Sequence, residues 1–121
     1  ETDGGDYVLT PAYDLMNTSI HINDGDFALQ EGLIPESAYS DVYSKTHHPC
    51  KDDFFTFGTR IGVLPKKLAS IIEMFATEQA KVYELIENSF LDEKVKRMYK
   101  QSYQERLHRF QRSDGLMSHQ F

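Results

Sequence analysis

Three groups of side chains in this 121-residue sequence are of types that do chemistry. Thr46-His47-His48-Pro49-Cys50, with Asp52 and Asp53 behind it, crowds imidazole, thiol and carboxylate groups into one short stretch. Structural zinc takes four ligands in a tetrahedron, commonly from two separated pairs. No second cluster answers this one, so an ordinary polar loop is the favoured reading. Cys50, the single cysteine, has no activating base that the sequence identifies. Lys94, Lys96, Arg97, Lys100, Arg106, Arg109 and Arg112 form a basic series of the kind that meets phosphates. Glu93 and Glu105 interrupt it and the bases do not gather on one side, so it reads as solvated helix surface. The third candidate is Asp14, which follows Pro11-Ala12-Tyr13 after a strand-like segment. A carboxylate at a strand end is a common ligand for a hard cation such as Mg²⁺. A cap of the next turn suits the spacing at least as well, and composition does not decide between them. Joined with Asp24, Asp26 and the His47–Cys50 loop, Asp14 would also suit a small metal-dependent hydrolase.

Whatever positions these groups must be a single small domain, since 121 residues leave little room for two. The 40% hydrophobic and 26% charged content is that of a globular chain, and 8 Phe with 7 Tyr can fill a core. No apolar run approaches the roughly 20 residues that span a bilayer. The N-terminus lacks a secretory-signal pattern, and one cysteine excludes an internal disulfide. A cytoplasmic protein without a membrane partner is expected. The net charge of −6 disfavours nucleic-acid binding by the whole surface. Charge is uneven: residues 1–53 carry 11 acids and 2 bases, residues 92–121 carry 4 acids and 7 bases. Most such runs are wet faces.

The chain changes character near residue 52. Asp3-Gly4-Gly5 reads as a turn, Tyr7-Val8-Leu9-Thr10 as a strand, and Ile20–Ile22 with Asp26–Leu29 as a hairpin about Asn23-Asp24-Gly25. The first turn lacks an upstream strand, so the chain is expected to be cut from a longer protein inside a hairpin. Residues 30–51 show no period, being punctuated by Gly32, Pro35, Ser37, Ser40, Ser44 and Pro49. Beyond them, Asp52 can cap a helix ending at Gly62. Pro65 opens a second helix, its stripe from Leu68 to Ile86 interrupted at Gln79. Ser89 or Asp92 opens a third, ending at Asp114-Gly115. The pair about Gly62 mimics a helix-turn-helix, but its apolar stripe reads as core. The expected fold is mainly α: short N-terminal β-strands (1–29), an irregular loop (30–51), a three-helix bundle (52–113) and a loose tail (114–121).

Tyr7-Val8-Leu9-Thr10-Pro11-Ala12-Tyr13-Asp14-Leu15-Met16-Asn17-Thr18 resembles the L-x-P-A-Y-D-L-L-N-T segment of HipA-like serine/threonine kinases, the toxins of bacterial toxin–antitoxin pairs. The likeness extends through Ile20-His21-Ile22 and Asp26-Phe27-Ala28-Leu29. It continues more loosely through Phe54-x-x-Phe57-Gly58-x-Arg60-Ile61-Gly62 and the last two helices. It covers nearly the whole chain, though only the first thirty residues are specific. The resemblance implies that Asp14 binds the Mg²⁺ bridging the phosphates of ATP, as the Asp of D-F-G does in ordinary protein kinases. Tyr13 and Leu15 would pack beside it; Asn17 and Thr18 match without an assigned role. It also implies that the chain is the helical part of a kinase large lobe. The phosphate-covering loop, the nucleotide-binding Lys and the catalytic loop would lie upstream, and residues 30–51 would stand at the activation segment. Partners implied are that upstream segment, a protein serine or threonine substrate, and a small helix-turn-helix antitoxin.

Overall fold

A computed structural model describes residues 8–12, 18, 22 and 25–114. Within them the chain forms a 3₁₀ turn, Glu36–Ala38, and five α-helices: α1 Asp41–Thr46, α2 Lys51–Arg60, α3 Pro65–Ala76, α4 Ala80–Glu87 and α5 Glu93–Gln111.

Four of the five helices start where the local chemistry covers or removes an unpaired N–H group. Ser40 caps α1, its hydroxyl accepting from the Tyr43 N–H at 3.1 Å. Pro65 stands at the start of α3, where its missing N–H costs nothing. Asp92 caps α5 by accepting from the Lys94 and Val95 N–H groups, both at 2.9 Å. The start of α2 differs from expectation: Cys50, not Asp52, is the N-cap, and Asp53 reaches back to accept from the Cys50 N–H at 2.8 Å. Gly62 closes that helix at φ 85°, a conformation that costs glycine little.

Among the described residues there is no β-strand, which overturns the expected N-terminal strands and hairpin. Val8–Thr10 and Asp26–Leu29 belong to no ladder; Tyr7, Ile20, His21, Asn23 and Asp24 lie outside the described residues. An isolated hairpin is marginal in water, and the second segment is held by its side chains instead. Phe27 packs 6.2 Å from the Tyr39 ring and 6.3 Å from that of Tyr43, which stack on each other at 3.9 Å. The Tyr39 hydroxyl accepts from the Leu33 N–H at 2.8 Å.

The expected middle helix is two helices. α3 ends at Thr77 and α4 begins after Gln79, the one polar residue in the stripe. The freed carbonyls of α3 find donors: the Gln79 amide meets Met74 and Thr77 carbonyls at 3.2 Å, and Gln111 reaches that of Ala76 at 2.7 Å. The Gln79 N–H donates to the Tyr103 hydroxyl at 2.8 Å, anchoring the break on α5. Residues 30–51 are also more regular than expected, since they hold the 3₁₀ turn and α1.

The core is Phe55, Leu68 and Ile72, with Val63 and Phe110 against it, so α2, α3 and α5 share one apolar seam. Gly58 lets α2 approach α3 closely. A Cβ there would stand 2.9 Å from Leu68 Cδ2 and 3.2 Å from its Cγ. Gly58→Ala should therefore destabilise the protein by about 1–3 kcal/mol through overpacking, despite alanine's better helix propensity. In a Leu68→Ala background the same change should become stabilising. Urea unfolding of the four proteins of this cycle checks both; an additive effect would remove the steric explanation.

Candidate functional site

The cluster from His47 to Asp53 does not converge. Asp53 is fully buried and turns toward Ser40 and Cys50. Its Oδ1 accepts from the Ser40 N–H at 2.7 Å, and its Oδ2 accepts from the Ser40 hydroxyl at 3.1 Å and the Cys50 N–H at 2.8 Å. Cys50 Sγ lies 3.5 Å from Ser40 Oγ. Asp52 points the other way, accepting from Ser113 Oγ at 2.9 and 3.0 Å and from the Asp114 N–H at 2.7 Å, which pins the end of α5 to the start of α2. Among the described residues no group of three His, Cys, Asp or Glu side chains is arranged to hold a metal ion. Asp14 and Asp24 lie outside the described residues.

His48 takes a third direction. Its Nδ1 lies 2.6 Å from Asp26 Oδ2, while Asp26 Oδ1 accepts from Arg106 Nη1 at 3.2 Å. This chain ties the segment before the 3₁₀ turn to α5. Its three residues also line a cavity of about 570 Å³ between α2, α3 and α5. The α2 wall is Phe54, Phe57 and Ile61; the α3 wall is Leu68, Ile71, Ile72 and Phe75; α5 contributes Tyr103, Leu107 and Phe110. Phe54 and Phe110 face each other with ring centroids 5.3 Å apart. Arg109, one turn beyond Arg106, also lines the cavity.

Sequence reasoning missed both the Asp26–His48–Arg106 chain and the cavity. One signal was present. Arg106 lies three residues after Tyr103 and four before Phe110, on the apolar side of α5, where a purely solvated base is out of place. The other bases of that helix divide. Lys96 donates to the Glu87 carbonyl at 2.9 Å and Lys100 pairs with the Glu87 carboxylate, while Lys94 and Arg97 are exposed.

Burial raises the pKa of the Cys50 thiol above 9.0, against the lowering effect of its Ser40 hydrogen bond. A buried, protonated thiol is a poor nucleophile, so the geometry gives Cys50 a packing role. No helix among the described residues is long and apolar enough to cross a membrane. No protein-family model, curated protein or solved structure matches this chain.

The thiol yields a pH prediction. Well below pH 9.0 the folded and unfolded thiols both hold their protons and stability is unaffected. Above it the unfolded thiol ionises first, so its contribution is lost as pH rises toward the raised folded value. Urea midpoints should fall more steeply above pH 9.0 for the unsubstituted protein than for Cys50→Ser. Labelling of Cys50 by an aromatic disulfide should be at least about tenfold slower in the native protein than in urea; equal rates would show that the thiol is accessible.

Proposed function

We propose that this chain is the C-terminal helical part of a HipA-like protein serine/threonine kinase, in which Asp14 binds Mg²⁺ for transfer of the ATP γ-phosphoryl group to a protein hydroxyl. One observation carries the reading: the stretch Leu9-Thr10-Pro11-Ala12-Tyr13-Asp14-Leu15-Met16-Asn17-Thr18. The helical make-up from residue 51 onward supports it, since that is the character of the large lobe of a kinase. Mg²⁺ would there neutralise charge that develops on the phosphoryl oxygens. Asp14 would supply one carboxylate toward that end. The intact parent would work in the cytoplasm.

By itself the chain should not transfer phosphate. Phosphoryl transfer depends on several groups held together, and one carboxylate cannot orient Mg·ATP. Isothermal titration of the 121-residue chain with Mg·ATP should show no micromolar binding; saturable binding at that level would refute the division of labour. In a parent that includes the upstream segment, Asp14→Asn should lower kcat by at least about 10³-fold with the unfolding midpoint unchanged. Full activity of that variant would remove Asp14 from the metal site.

A second reading, a non-enzymatic domain that binds an antitoxin or another protein, is favoured by a different observation. Leu85, Phe90, Leu91 and Met98 are exposed on or beside the α4–α5 turn, with Phe90 fully so. Side chains of this kind are common at protein interfaces. Phe90→Ser with Leu91→Ser should abolish capture of a purified helix-turn-helix antitoxin by the chain. Capture that requires the upstream segment and ignores these substitutions would exclude the surface.

A further inference from the structure

We propose that the cavity between α2, α3 and α5 is a binding site for a small amphipathic carboxylate, an apolar chain or ring system bearing one acid group. The inference is independent of Asp14 and of the kinase reading.

Size is the first consideration. About 570 Å³ lies within the roughly 300–1,000 Å³ of small-molecule sites. Chemistry is the second. Buried Leu68, Ile72 and Leu107 line it together with Phe54, Phe57 and Phe110, and it is open to solvent beside exposed Ile61 and Phe75. Such a lining takes an apolar body.

The charged groups select the head. Arg106, Arg109, His48 and Asp26 are the titratable or charged side chains on the lining other than the Tyr103 phenol. Both Asp26 oxygens are already engaged, one by His48 and one by Arg106, so the one acid is neutralised in place. Arg106 has one donor on Asp26 and further donors to spare. Arg109, half-buried, has no side-chain hydrogen bond or ion pair among the described residues. A half-buried arginine that lines an apolar cavity and lacks an acidic partner among the described residues is complementary to a carboxylate. An ammonium head would meet the uncompensated charge of Arg109 instead, and a neutral head would leave Arg109 without a counterion.

The test titrates the full chain calorimetrically with decanoate, decylammonium and methyl decanoate, each below its micelle-forming concentration. Decanoate should bind once per chain, at least about tenfold more tightly than decylammonium. Arg109→Gln should weaken decanoate at least about fivefold while leaving the methyl ester unchanged, and Arg109→Lys should recover part of the loss. Ile71→Asp, at a partly exposed position on the cavity wall, should abolish binding of all three. Circular dichroism matching that of the parent chain qualifies each variant; Arg109 is outside the buried core, so its arm decides even where Ile71→Asp fails to fold. Equal affinity for decylammonium, multisite uptake, or decanoate binding indifferent to Arg109→Gln would overturn the proposal. So would a dimer in sedimentation that decanoate leaves intact, because a second copy of the chain would then cover the cavity.

Discussion

The carboxylate of Asp53, buried with three hydrogen-bond donors and no cationic partner among the described residues, is the contact on which the described structure turns. It accepts from the Ser40 N–H, the Ser40 hydroxyl and the Cys50 N–H. One side chain thereby fixes the start of α2, orients the residue that caps α1, and folds the intervening segment into a closed loop. Placing an ionised carboxylate out of water is costly unless donors replace its hydration. Here the donors are two backbone N–H groups and a hydroxyl, and the N-terminal dipole of α2 adds a favourable field at its third residue. Tethering of this kind brings His48 to where it can meet Asp26.

From that anchor the arrangement of the helices follows two further constraints. Gly58 allows α2 to rest on Leu68 of α3, and the seam of Phe55, Leu68 and Ile72 closes against Phe110 of α5. Asp52 then holds Ser113 and Asp114 at the exit of α5, so the long helix is tied at its end to the beginning of α2. Three helices meeting on a narrow seam leave a space beside it, and the cavity is that space. Its lining is polar where Asp26, His48 and Arg106 meet. Adjacent carboxylates in one helix turn, Asp52 and Asp53, thus serve two different tethers on opposite sides.

Much of the helical part was legible in residue types. Pro65, Asp92 and Gly62 mark helix ends through properties of their own backbone or first side-chain atoms, which hold in almost any context. Gln79 stood out as an interruption in an apolar stripe, but the stripe was read as one helix running through it. The meaning of that interruption was not legible, because it depends on the Tyr103 hydroxyl 24 residues away. The strand reading of Asp26–Leu29 failed for the same reason. Its alternation suits a ladder, but no partner strand pairs with it among the described residues, and Phe27 and Asp26 have partners on α1 and α5 and in the loop at His48. The His47–Asp53 cluster misled because proximity along the chain says nothing about direction: its acids, thiol and imidazole diverge.

By itself, then, the order of residues determined where helices can begin and end, which faces are apolar, and the motif around Asp14 on which the kinase reading rests. Those are local properties, set by φ restriction, missing donors, short capping side chains and periodicity. Only the tertiary structure decided that Asp53 is interior, that Asp26 joins His48 to Arg106, and that three helices form a cavity with Arg109 on its lining. Each of these is a meeting of groups far apart in the chain, and its energy comes from desolvation and complementary geometry that exist only once the helices have packed.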